Sequence, residues 1–118
     1  MKKPPVEKKK HFRMMPTVKD FMREQPGDVK QELNGIIFML EIDGSLSMPY
    51  GEKIRGEEQL FAIRVIQAAN IRIFYVYGLD DIVFGIHGYV KKTEDIPAKD
   101  MNQAKKTLKL LIKEGLVK

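Results

Sequence analysis

The sequence predicts an α+β domain: an N-terminal helix hairpin packed on an antiparallel β-sheet meander, closed by a C-terminal helix. Three observations carry this. Apolar residues recur at helical spacing between residues 17 and 44. Three runs rich in β-branched and aromatic residues follow between 60 and 90, and a proline-led amphipathic segment ends the chain. Helices and strands segregated in this way argue for helices on one face of an antiparallel sheet. A chain of 118 residues makes one domain with a modest core.

Residues 1–15 read as a basic flexible arm or a short edge strand. Lys2, Lys3, Lys8, Lys9 and Lys10 crowd it, Pro4 and Pro5 interrupt it, and any strand would lie near His11 and Met14. Residues 16–118 read as the single domain. Thr17 can cap a short first helix, with Asp20 three residues on and Val18, Phe21 and Met22 facing inward, until Pro26-Gly27 ends it. A longer helix follows from about Asp28, with an apolar stripe of Val29, Leu33, Ile36, Ile37 and Leu40 and a stop at Gly44. Met48, Pro49 and Tyr50 lead to the basic pair Lys53 and Arg55 and to Gly56. The runs 60–66, 71–77 and 82–90 are separated by Ala69-Asn70 and by the turn-forming stretch 78–81, which gives the meander. Pro97 opens the last helix, whose inward face would be Met101, Ala104, Leu108, Leu111 and Ile112, and Gly115 ends it.

Alternation along a strand sorts the side chains by face. One set holds Phe61, Ile63, Val65, Ile71, Ile73, Tyr75, Tyr77, Ile82, Phe84, Ile86 and Val90. If helices cover that set, the open face carries Arg64, Arg72, His87, Tyr89 and Lys91. Gly85 and Gly88 flank His87 and would let a ligand backbone approach. Taken singly, each residue has a plain structural reading: the arginines as ion pairs with Glu57, Glu58 or a helix carboxylate, and His87 as a hydrogen-bonded core histidine. Taken together they favour a polyanion site, because guanidinium forks suit phosphate oxygens and histidine titrates near neutrality.

The net charge of +5 attracts phosphate backbones, although lysines that merely keep a small domain soluble account for it as simply. There is no cysteine, which excludes disulfides and thiolate chemistry and fits a cytoplasmic address. No apolar stretch follows the N-terminal lysines as a secretion signal requires, and none approaches the roughly 18 residues of a membrane span. Two histidines outside any paired motif leave little for zinc, so no metal and no cofactor is expected. Glycine-rich phosphate loops, nucleophile elbows and close acidic pairs are absent too. What remains is metal-free chemistry driven by cations, and RNA cleavage through the ribose 2′-hydroxyl is such a chemistry. Arg64 and Arg72 would hold the phosphate, each fixed donor worth ~3–4 kcal/mol. His87 or Lys91 would move protons.

The segments Leu60-Phe61-Ala62-Ile63-Arg64-Val65, Ile71-Arg72-Ile73-Phe74-Tyr75 and Ile86-His87-Gly88-Tyr89-Val90-Lys91-Lys92-Thr93 resemble the phage-derived HigB-like toxins of the RelE/ParE superfamily. There the strands read approximately L-x-E-L-R, R-x-x-Y and L-L-H-x-F-x-K-K-T. Pro97 and Ala104 also sit where that family opens its following helix. The likeness covers residues 17–112, and the stretch from His87 to Thr93 is its most specific part. It implies a RelE-like fold and the toxin of a type II toxin–antitoxin system that cleaves mRNA on the ribosome. The partners it implies are a cognate antitoxin, commonly a helix-turn-helix protein of the HigA kind, the ribosome and mRNA, with no membrane. By position, Arg64, Arg72, His87 and Lys91 would be catalytic, and Lys53, Arg55, Tyr89 and Lys92 would bind RNA or the ribosome. The chain departs from the pattern at Ala62, where the family usually has glutamate. A gyrase-directed toxin of the ParE type and an inactive nucleic-acid-binding phage accessory protein are the competing expectations.

Overall fold

A computed structural model describes residues 7–118; Lys2, Lys3, Pro4 and Pro5 of the basic N-terminal segment lie outside the described residues. The elements run β1 (His11–Met14), α1 (Pro16–Arg23), α2 (Gly27–Asp43), β2 (Gly51–Lys53), β3 (Phe61–Val65), β4 (Ile71–Tyr77), β5 (Ile82–Val90) and α3 (Ala98–Lys113). The sheet has five strands in the order β1-β5-β4-β3-β2. The three expected strands form its antiparallel centre. β1 adds a parallel edge beside β5, and β2 an antiparallel edge beside β3, so the sheet is mixed. The helix pair is therefore not N-terminal: a sheet strand precedes it, and both helices lie on the sheet, α1 against β5 and β1, α2 against β1 and β3.

Local chemistry sets the boundaries. Thr17 does not cap α1: Pro16 takes a first-turn position, Met15 is the N-cap, and no side-chain bond closes the end. A proline there has no amide to satisfy and carries a helical φ already. Asp20 instead pairs with Arg23 at 3.0 Å. α2 stops at Gly44, whose φ of 81° is the left-handed turn that glycine accepts without strain. Between β4 and β5, Asp80 and Asp81 take φ of 58° and 59°, and the Ile82 amide closes the turn on the Leu79 carbonyl at 3.2 Å. Two successive positive φ values match the twist of a tight hairpin.

Two carboxylates from α2 fasten the sheet. Glu32 accepts the amides of Ile66 (2.9 Å), Gln67 (3.1 Å) and Ala68 (2.7 Å), so the β3–β4 turn hangs on one side chain. Glu41 accepts the Phe12 amide at 2.9 Å and the Lys8 ammonium at 2.9 Å, while its carbonyl takes the Lys9 and Lys10 amides. Burial pushes both carboxyls up, but the amides around Glu32, and the Phe12 amide with Lys8 around Glu41, outweigh it and leave both below the usual carboxylate range. The unfolded chain therefore takes up these protons first. The stability they contribute is complete above the ordinary carboxylate range and is lost as pH falls through the lower, folded values. Glu32→Gln is expected to cost about 1–2 kcal/mol at neutral pH and to flatten the decline toward acid. Urea midpoints at neutral pH and at about pH 3 check this; a variant as stable as wild type at both would refute it.

Both faces of the sheet are covered, which corrects the expectation of an open face. α1 and α2 bury Val18, Met22, Val29, Leu33, Ile36 and Leu40 against Ile63, Val65, Ile71, Ile73, Tyr75 and Val83. On the other face α3 sets Ala104 and Leu111, followed by Val117, against Ile54, Leu60, Ala62, Phe74, Val76, Phe84 and Ile86. The reason lies in β5. The β4–β5 register pairs Tyr75 with Gly85 but Phe74 with His87, so Ile86 is an extra residue. A bulge inverts parity on one side of itself. Ile82, Phe84 and Ile86 thus join the second face and Val83 the first, the reverse of simple alternation, and the apolar surface so made needs its own helix. Ile112, expected inside, is 40% exposed. Among the described residues no helix is long and apolar enough to cross a membrane.

Candidate functional site

The second face is apolar where α3 lies and polar beyond it. Cross-strand register builds two rows there. Arg64 on β3 faces Arg72 on β4, which faces Tyr89 on β5. In the next row Glu52 faces Ala62, Ala62 faces Phe74, and Phe74 faces His87. Like charges directly opposite each other destabilise a sheet, so the Arg64–Arg72 pair calls for compensation, and little is present. The Arg72 side chain is only 4% exposed, and Glu52 is the carboxylate beside it, 3.7 Å from its Nε. One Arg72 amino group donates to Asn70 Oδ1 at 3.2 Å and to the Ile71 carbonyl at 3.1 Å. Arg64 donates to the Pro49 carbonyl at 3.0 Å. The Nε atoms of both arginines are buried without a hydrogen-bond partner among the described residues.

Burial, then the neighbouring Arg64, hold the Arg72 pKa below its ordinary value, while Glu52 and Tyr89 work the other way. The group still stays protonated at any biological pH. This is a cationic pair with donors to spare, and an oxyanion is its natural complement. Burial raises the Tyr89 hydroxyl; Arg72 opposes that, while Glu52 and Asp100 add to it.

His87 reaches the site from the bulged part of β5. Its Nε2 lies 2.7 Å from Asp100 Oδ1 in the first turn of α3. That contact fixes the ring through Nε2. The ring also stacks on Phe74, with centroids 6.2 Å apart, and Tyr89 stacks on Phe74 at 5.6 Å. A wholly buried phenylalanine is therefore the platform under both.

The fold thus gathers Arg64, Arg72, His87 and Tyr89 on one face. Lys91 follows the end of β5, half-buried, its amide donating to the Asn70 carbonyl at 2.7 Å. Lys92 is exposed beyond it. Lys53 stands opposite Phe61, in the register of the first face, so it does not join the arginines. Lys53 and the exposed Arg55 line an open depression of about 430 Å³ instead. The two glycines beside His87 serve packing rather than ligand approach. A Cβ on Gly85 would come within 2.7 Å of the Phe12 ring, and one on Gly88 within 2.6 Å of the Phe21 ring.

Three contributors escaped sequence reasoning. Glu52 sits on a strand of three residues, too short to show alternation. Asp100 comes from a helix terminus. Asn70 passed as a turn residue, yet its side chain bridges Arg72 and the Lys91 carbonyl, the latter at 3.1 Å. The register signal that could have found Glu52 is its place opposite Ala62, where a short side chain leaves room for a carboxylate from the next strand.

The model of a family described as phage derived protein Gp49-like (DUF891) matches residues 20–109, a stretch that contains both arginines, Glu52, His87 and Asp100. No curated protein matches the chain.

Proposed function

Because the chain belongs to the Gp49-like family of phage-derived proteins, we propose that it is the toxin of a type II toxin–antitoxin pair, with a RelE-like fold of the HigB-like branch, and that it cleaves mRNA on the ribosome. The observation that carries this reading is the Arg64–Arg72 pair, two facing guanidinium groups whose Nε atoms are buried and lack a hydrogen-bond partner among the described residues. A phosphodiester supplies the oxygens such donors lack. The resemblance of the strand segments to HigB-like toxins supports the same reading.

In this reading the arrangement supplies a base, an acid and cationic donors for one reaction. The ribose 2′-oxygen forms a bond to the adjacent phosphorus, and the bond from phosphorus to the 5′-oxygen of the next nucleotide breaks. A cyclic phosphate and a free 5′-hydroxyl result. Glu52 receives the 2′-hydroxyl proton, and the His87 imidazolium gives a proton from Nδ1 to the departing 5′-oxygen. Glu52 and His87 stand three strands apart in one row, roughly 14 Å between backbones, and their side chains flank the arginines from opposite sides. Asp100 holds the His87 ring as the carboxylate of a catalytic triad holds its histidine. Lys91 and Lys92, at the strand end, add sequence-blind attraction for the RNA backbone. The expected partners are a cognate antitoxin of the helix-turn-helix, HigA-like kind and the ribosome.

Single-turnover cleavage of mRNA in a reconstituted translation reaction tests this. Glu52→Gln is expected to slow the reaction by about 10²–10⁴-fold. Asp100→Asn, which loosens the His87 ring, should slow it less. A wild-type protein that cuts no RNA overturns the reading, and a Glu52→Gln variant of full activity removes Glu52 from it.

A further inference from the structure

Arg72 is held by one corner of its guanidinium. Its Nη1 donates to Asn70 Oδ1 at 3.2 Å and to the Ile71 carbonyl at 3.1 Å. Both acceptors take the same terminal nitrogen, while Nε is left without a hydrogen-bond partner among the described residues. The Ile71 carbonyl belongs to the main chain, and any residue at that position would offer it. The Asn70 side chain is a different kind of partner. It stands exposed, one residue before β4, and its Nδ2 donates to the Lys91 carbonyl at 3.1 Å, one residue after β5. One amide thus spends its oxygen on the guanidinium and its nitrogen on the neighbouring strand end. The strand ends are joined without it, because the Lys91 amide donates to the Asn70 main-chain carbonyl at 2.7 Å.

We infer that Asn70 is a positioning residue for Arg72: anchored on Lys91, its amide fixes where the guanidinium stands and leaves the cation's charge whole. The inference rests on the reading of the arginine face as a phosphate site. The chemistry singles out asparagine. An acceptor is needed toward Arg72 and a donor toward the Lys91 carbonyl, and a primary amide offers both. Aspartate would accept but could not donate, so it would set a carboxylate against that carbonyl. Its charge would also hold the Arg72 fork in an ion pair and compete with a phosphate for it. Arg64 stands directly opposite, and repulsion between the two cations works to spread them. Glu52, 3.7 Å from Nε, is beyond hydrogen-bond reach and does not fix the fork. A donor aimed in advance at developing charge needs no reorganisation when the reaction occurs. Asn70 supplies that aim without touching the substrate.

Two readouts test this, and one of them does not depend on cleavage. In isotope-labelled protein, the Arg72 guanidinium is expected to give resolved signals for slowly rotating amino groups. Asn70→Ala should merge them into one exchange-broadened signal, whereas Asn70→Asp should keep them resolved. Single-turnover cleavage of ribosome-bound mRNA is expected to slow about 10–100-fold in both variants. The ribosome concentration that gives half the maximal rate should not change. On an Arg72→Met background, Asn70→Ala should cost less than about twofold, because a residue that acts through Arg72 has nothing left to position. Resolved Arg72 signals in Asn70→Ala overturn the inference alone, and so does a rate loss that persists in full beside Arg72→Met. Full activity of Asn70→Asp overturns the need for a neutral partner. A wild-type protein that cuts nothing overturns the reading of the site, and this role with it.

Discussion

Arg72→Met is expected to slow cleavage by about 10³-fold while leaving the fold about as stable as wild type. The two halves of this result have different causes. Removing one fixed donor from the place where phosphorane charge develops costs about 10²–10³-fold in rate, and with Arg64 left alone the loss should be at the upper end. Stability behaves otherwise. The Arg72 side chain is 4% exposed, its Nε has no hydrogen-bond partner among the described residues, and it faces a second arginine. A cation facing another cation repels it across the strands, which offsets what its own contacts contribute, and methionine fills a similar space. Asn70 keeps its bond to the Lys91 carbonyl, and the partly exposed Glu52 regains water. The urea midpoint should therefore move by less than about 1 kcal/mol equivalent. A variant destabilised by several times that, with cleavage intact, would make Arg72 a structural residue.

Phe74→Ala should give the largest loss of stability, about 3–5 kcal/mol. Phe74 is wholly buried at the centre of the α3-side core. It also lies under both His87 and Tyr89. Truncation opens a cavity between sheet and helix and frees the rings that define one side of the site. Urea unfolding measures the first effect, and cleavage by protein that is still folded measures the second, which should fall as the His87 ring loses its support. A cost under about 1 kcal/mol would mean that the α3 interface closes more easily than its packing implies.

The elements that could be read from the sequence are those whose signal is local. Runs of β-branched residues at 61–65, 71–77 and 82–90 define β3, β4 and β5, and Gly44 and Pro97 mark a helix end and a helix start as glycine and proline chemistry requires. Arg64 and Arg72 could be placed on one face because β3 and β4 pair without irregularity. What could not be read depends on contacts between distant segments. The extra residue Ile86 reverses which side of β5 is buried, and no local pattern announces it. That reversal makes the apolar surface under α3, so the third helix was expected on the wrong side. β1 occupies the His11–Met14 stretch that the sequence offers as an edge strand, whereas β2, of three residues, is a strand only because β3 supplies its partner. Glu52 and Asp100 enter the site through those same long-range arrangements. The expected glutamate position is Ala62, and the carboxylate beside the arginines comes from the neighbouring strand instead.

The most direct test of the central claim is to add the wild-type protein to mRNA with and without translating ribosomes and to map the cut ends by primer extension. Discrete cuts within the translated region are expected only when ribosomes are present, each leaving a cyclic phosphate and a 5′-hydroxyl. RNA that stays intact under both conditions, or binds without being cut in a manner abolished by salt, would contradict it.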